Sequence, residues 1–203
     1  MYSSERAKTI VKKDVAHLSA GIEDNVMLTA VRFDKSINGN SFIEFKFEKE
    51  GKLLTHTEWE PSKGSDETEE SFQNKCDNQF SRIEQILKCY YPNAEDRKFI
   101  GENFTQFAQW VTEMLNKADL TTLLRVKIVY NNSGYTTLPK YAKYTFIEPM
   151  SLVNENKSVI VKLGIDQFEK PIVADLEKSN PSPFSMGSSV DENNSADPNG
   201  LPF

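Results

Sequence analysis

Apolar and polar residues alternate twice early in the chain, and the alternation predicts strands. Val26-Met27-Leu28-Thr29-Ala30-Val31-Arg32-Phe33 reads as a mostly buried strand, and Ser36-Ile37-Asn38-Gly39-Asn40 supplies a turn with the Asn-Gly pair that tight hairpins favour. In Ser41-Phe42-Ile43-Glu44-Phe45-Lys46-Phe47-Glu48, period 2 puts Ile43, Phe45 and Phe47 on one face and Glu44 and Lys46 on the other. Glu50-Gly51 turns the chain again, and Leu53 to Trp59 gives a third strand ended by Pro61, completing a meander.

After an acid-, Ser- and Gly-containing loop from Pro61 to about Glu70, the period changes. Phe72, Cys76, Phe80, Ile83, Leu87 and Tyr90 recur at three or four residues, predicting a helix over about 71–91 that Pro92 closes. Asn93 can cap a second helix over about 94–117, with Glu95 and Asp96 in its first turn and Ile100, Phe104, Phe107, Val111 and Met114 as its stripe. Leu123 to Tyr130 is β-branched and alternating and predicts strand four; Asn131-Asn132-Ser133-Gly134 turns it into a fifth, Tyr135 to Ile147, where Pro139 marks an edge or break. Ser158 to Ile165 adds a short strand. Three strands, a two-helix insertion and two strands is the order of an OB-fold, a five-stranded Greek-key β-barrel, so the expected fold class is mainly β. A pleckstrin-like barrel, a β-sandwich fragment or another α+β domain has the same order. The expected organisation is a polar basic arm over 1–20, the barrel domain over 21–165, and a flexible linker with an acidic tail over 166–203.

Composition supports one folded domain: 38% hydrophobic residues and thirteen Phe suffice for a core in 203 residues. No apolar run reaches membrane-spanning length and the first residues lack a signal-peptide core, so the expected location is the cytoplasm. Cys76 and Cys89 fall on different sides of the first predicted helix, roughly 220° apart at 100° per residue, so no bridge is expected. His17 and His56 stand alone, without metal-ligand spacing, and no cofactor motif occurs. A metal-dependent nuclease would need converging carboxylates; Asp77 with Glu84 and Glu95 with Glu102 are only i, i+7 neighbours, so no catalytic residue is assigned.

The net charge of −6 hides an uneven distribution. From Leu120 to Ile147 the chain has Arg125, Lys127, Lys140 and Lys143 and no acid, while acid gathers at Asp66 to Glu70 and in the tail. Local potential decides whether a phosphate backbone is attracted. The same region interleaves Tyr130, Tyr135, Tyr141, Tyr144 and Phe146 with those cations, and unpaired bases stack on such rings. Arg125 and Lys127 are expected to project from the face opposite Leu124, Val126 and Ile128. With Arg32, Lys46 and Trp59 from the meander, these make the candidate site for single-stranded nucleic acid. No base-reading motif appears, so binding without sequence preference is expected. The alternative is a non-enzymatic adaptor whose barrel binds protein.

At the other end, Asp191, Glu192 and Asp197 precede a terminal Leu201-Pro202-Phe203. Apolar groups on a solvated tail bury nothing in their own molecule and suit a partner pocket rimmed by cations. This tail resembles that of bacterial single-stranded DNA-binding proteins, which ends in aspartates and Ile-Pro-Phe, although Asn199-Gly200 stands where that family carries acid. The body is more similar to phage-encoded versions, through Gly21 to Leu28, Phe42-Ile43-Glu44-Phe45 and Gly134 to Lys140. The resemblance implies a protein that coats unwound DNA in replication, recombination or repair and recruits replication or recombination proteins through its C-terminus.

Overall fold

The structure, a computed structural model, describes residues 16–171. They form an open antiparallel sheet with a few helices, mainly β as expected. The strands are β1 (Gly21–Lys35), β2 (Ser41–Lys49), β3 (Lys52–Trp59), β4 (Leu124–Tyr130), β5 (Thr136–Thr137) and β6 (Ile147–Pro149). Their order is β3-β2-β1-β4-β5, with β6 also paired to β4. Helices α1 (Glu69–Tyr90) and α2 (Phe104–Lys117) lie between β3 and β4, and the short α3 (Met150–Asn154) follows β6.

β1 organises the sheet because it is long enough to pair twice: Met27 to Lys35 with β2, and Gly21 to Val26 with β4. A register shift between Leu28 and Ala30 inserts one residue, so the buried parity passes from Val26 and Leu28 to Val31. In β2, Ile43, Phe45 and Phe47 are all fully buried, as their alternation predicts. The β2–β3 hairpin closes on Glu50 and Gly51, both at positive φ (51° and 76°), which the two-residue turn between Lys49 and Lys52 requires.

Thr68 caps α1 by accepting from the Ser71 N–H at 3.2 Å, and Ile83, Ile86 and Leu87 bury its apolar face. The second predicted helix is broken. Asn93 caps only a single turn of 3₁₀ helix, Ala94–Arg97; α2 begins ten residues later under its own cap, Asn103, and Ile100 is wholly exposed between them. Glu95 and Glu102 therefore share no helix. Cys76 and Cys89 are free thiols.

The fifth strand is also corrected. Only Thr136–Thr137 pairs with β4 on one side, and Ile147–Pro149 pairs elsewhere along it; the stretch between is irregular. Several of its backbone groups are satisfied from α1, while Phe146 O accepts from the Lys127 N–H of β4 at 2.7 Å. Gln85 donates to the carbonyls of Ala142 and Tyr144 at 3.3 Å, accepts from the Phe146 N–H at 3.2 Å, and Arg82 donates to Lys140 O at 3.2 Å. Ser158 to Ile165 forms no strand. The folded unit also extends past the expected limits: Leu18 is buried, and Gln167 O accepts from the Tyr130 N–H at 2.8 Å. Among the described residues no helix is long and apolar enough to cross a membrane.

Candidate nucleic-acid interface

Six of the predicted residues converge on three clefts that share walls. The first, about 510 Å³, lies between the end of β3, α1 and the irregular stretch, and is lined by Trp59, Lys75, Arg82, Lys140, Tyr141 and Lys143 among others. The second, about 450 Å³, shares Lys140 and Tyr141 with it and continues to Tyr130. The third, about 570 Å³, takes Tyr130 as its shared wall and runs to Tyr135, His17 and Lys170. Tyr144, half exposed, stands edge-on to Tyr141 with ring centroids 5.5 Å apart. Neighbouring clefts thus share lining residues, and each holds both rings and cations.

The charged residues lining the three clefts are predominantly basic. Lys140 and Lys143 are exposed and have no ion-pair partner among the described residues. The carboxylates in the lining are Glu58 and Asp166, and each is already engaged. Glu58 is buried on the core face of β3 and receives both arms of the Arg82 guanidinium at 2.8 Å. His56, also buried, bridges Glu58 at 3.2 Å and the Thr137 hydroxyl at 2.9 Å, linking β3 to β5 through side chains. Burial alone would raise the Glu58 carboxyl's pKa, but the bonds from Arg82 and His56 hold it well below the usual range. An ionised Glu58 only accepts, so Nε2 of His56 carries the proton toward it.

Lys127 is not part of the surface. Its side chain is 1% exposed, its amine pairs with Asp166 at 2.8 Å, and it sits 5.5 Å from the Tyr141 ring centre. The expectation that it faces solvent assumed a sheet wet on one side; here the segment carrying Asp166 covers that face of β4. Tyr141 likewise has a structural duty, donating its hydroxyl to Asp166 at 3.0 Å. Phe146 is core. Arg125 does point away from the core but is committed to both oxygens of Asp24, at 2.5 and 2.8 Å, and holds that carboxyl's pKa below its ordinary value. Arg32 is bonded to Glu44 and Asp34, and Lys46 lies 3.5 Å from Glu44; neither lines the clefts.

Lys75, Arg82, Lys170 and His17 were missed. The signal for two of them was present: Lys75, Gln79, Arg82 and Gln85 fall at i, i+4, i+7 and i+10, an acid-free polar stripe on an otherwise acid-rich helix. The tail residues Asp191, Glu192, Asp197, Leu201, Pro202 and Phe203, and arm residues 1–15, lie outside the described residues. Among the described residues, no group of three or more His, Cys, Asp or Glu is placed to hold a metal ion. Comparison with protein-family models, with curated proteins and with solved structures returns no significant match.

Proposed function

We propose that this chain binds single-stranded DNA without reading its sequence, on a barrel of OB type, and recruits replication or recombination proteins through its acidic C-terminus. The observation that carries the reading is the run of three wall-sharing clefts in which Trp59, Tyr141, Tyr130 and Tyr135 alternate with Lys140, Lys143 and Lys170. Stacking on rings takes any base, and amines follow any phosphate, so this chemistry favours an unpaired strand over a duplex. Support for the barrel comes from β1 pairing with both β2 and β4, and from the His56–Thr137 contact between the two ends of the ladder. The reading assigns grip and release to the surface and no bond-making.

Fluorescence anisotropy with oligo-dT, duplex and RNA of equal length tests it. Tight, salt-sensitive binding to the single strand and weak binding to the duplex is the expected result; binding to none would leave an adaptor, and metal-dependent degradation would make the chain a nuclease. Joint replacement of Lys140 and Lys143 by Ala is expected to weaken oligo-dT binding. It should also flatten the slope of log K against log salt by about 1.4, the share of two phosphate contacts on a single strand. An unaltered slope would move the site off this stretch. Deleting residues 191–203 is expected to keep or raise DNA affinity while abolishing partner recruitment, read by anisotropy and by pull-down of replication proteins; a large loss of DNA affinity would refute that division.

A further inference from the structure

Across Pro61 and Gln79, which also wall the first cleft, a separate groove of about 640 Å³ opens between α1 and the segment leading into α2. Its floor belongs to an aromatic cluster: Phe80 stacks on Phe107 at 5.2 Å, and Phe99 on Trp110 at 4.9 Å. Ile100 stands in solvent at the lip. Gly101 is what lets the lip fold so closely, since a Cβ there would come within 2.3 Å of the Phe99 ring. Every charged residue lining the groove is acidic, namely Glu60, Asp77 and Glu102, and all three are exposed. An apolar floor inside an anionic rim repels a phosphate backbone. It suits an apolar anchor flanked by amines.

The chain carries such a segment itself. Arg6-Ala7-Lys8-Thr9-Ile10-Val11-Lys12-Lys13 places an apolar pair between basic residues, whereas the acidic C-terminal segment has the wrong sign for this rim. We propose that the groove receives the basic N-terminal arm of a second copy of the chain. Direction favours a neighbour over the same molecule. His17 pairs in parallel with Leu53, and Ala16 O accepts from the Leu53 N–H at 2.9 Å. Traced back from His17, the chain therefore leaves toward the Lys52 end of β3, while the groove begins at Glu60 beyond the other end. Filling its own groove would demand a reversal and a return of about 26 Å along the eight residues of β3.

Sedimentation velocity of the full chain without DNA tests it. Wild type is expected to self-associate as concentration rises, less so at high salt. Reversing the arm (Lys8→Glu, Lys12→Glu, Lys13→Glu) or the rim (Glu60→Lys, Asp77→Lys, Glu102→Lys) is expected to weaken the association constant by about 100-fold or more. Mixing the two variants should restore a dimer, because each arm then meets a rim of opposite sign. Matching melting curves guard against misfolding of the variants. A wild type that stays monomeric, an arm reversal without effect, or a mixture that fails to pair would each overturn the proposal. So would a monomer in which arm reversal shifts Trp110 fluorescence, since that places the arm in its own groove.

Discussion

Replacing Asp166 with Ala is expected to lower the free energy of unfolding by about 3–5 kcal/mol, the scale for removing one partner of a buried ion pair. The Lys127 amine would be left charged beneath the surface, with its 2.8 Å partner gone and only the Tyr141 ring beside it. Tyr141 and the Leu163 N–H would lose their acceptor in the same step, at 3.0 and 2.7 Å. Urea titration followed by circular dichroism reads the loss. The paired variant Lys127→Met with Asp166→Leu is expected to recover most of it, because no unpaired charge then remains inside. A single variant as stable as wild type would mean that water reaches the amine. The pH dependence has a definite sign. Burial by itself would raise the Asp166 carboxyl's pKa, but the bonds from Lys127, the Leu163 N–H and Tyr141 outweigh it and hold the group below its ordinary value. A depressed carboxyl binds its proton more readily when unfolded, so its contribution is complete above the ordinary value of about 3.9 and is lost as pH falls through the lower folded value. Wild type should therefore shed this contribution on acidification, and Asp166→Ala should lack it.

That pair also marks where the sequence stops being legible. The alternation in Ile43, Phe45 and Phe47 needs only one buried face, and the structure has it. In β4 the same rule places Lys127 outward, and outward is correct for its backbone; what covers it comes from Asp166, a residue that no periodicity links to β4. Lys140 to Phe146 carries strand-forming residues, yet Gln85 and Arg82, some sixty positions earlier, take several of its backbone hydrogen bonds. Propensity is local, and the competitor for those bonds is not. His56 and Glu58 show the converse, polar side chains on the buried face of β3 that alternation alone reads as a defect. Arg82 and Thr137 resolve them into a satisfied network. What survived from sequence to site was composition at short range: exposed rings beside amines in one acid-free stretch.

Those rings carry the second large expectation. Trp59 and Tyr135 line the first and third clefts, which share no lining residue, and expose 49% and 72% of their surface. Replacing either by Ala is expected to weaken oligo-dT binding by about 1–3 kcal/mol, or about 5- to 140-fold, the range for one lost base stack. Because the two share no cleft, the double variant should lose about the sum. Trp59→Phe and Tyr135→Phe keep a ring and should keep most of the affinity. This separates stacking from support of the fold, a needed control because Trp59 also packs on Phe42 with ring centroids 5.0 Å apart. Neither ring is cationic, so the slope of affinity against salt should stay as in wild type, in contrast to the loss of Lys140 and Lys143. Oligonucleotide length adds a geometric check. A strand long enough for all three clefts should feel both substitutions, whereas one too short to span them can sit at either end and should be insensitive to loss of one ring alone. Equal sensitivity at every length, or a double variant that binds as wild type does, would overturn the proposal that one strand occupies all three clefts.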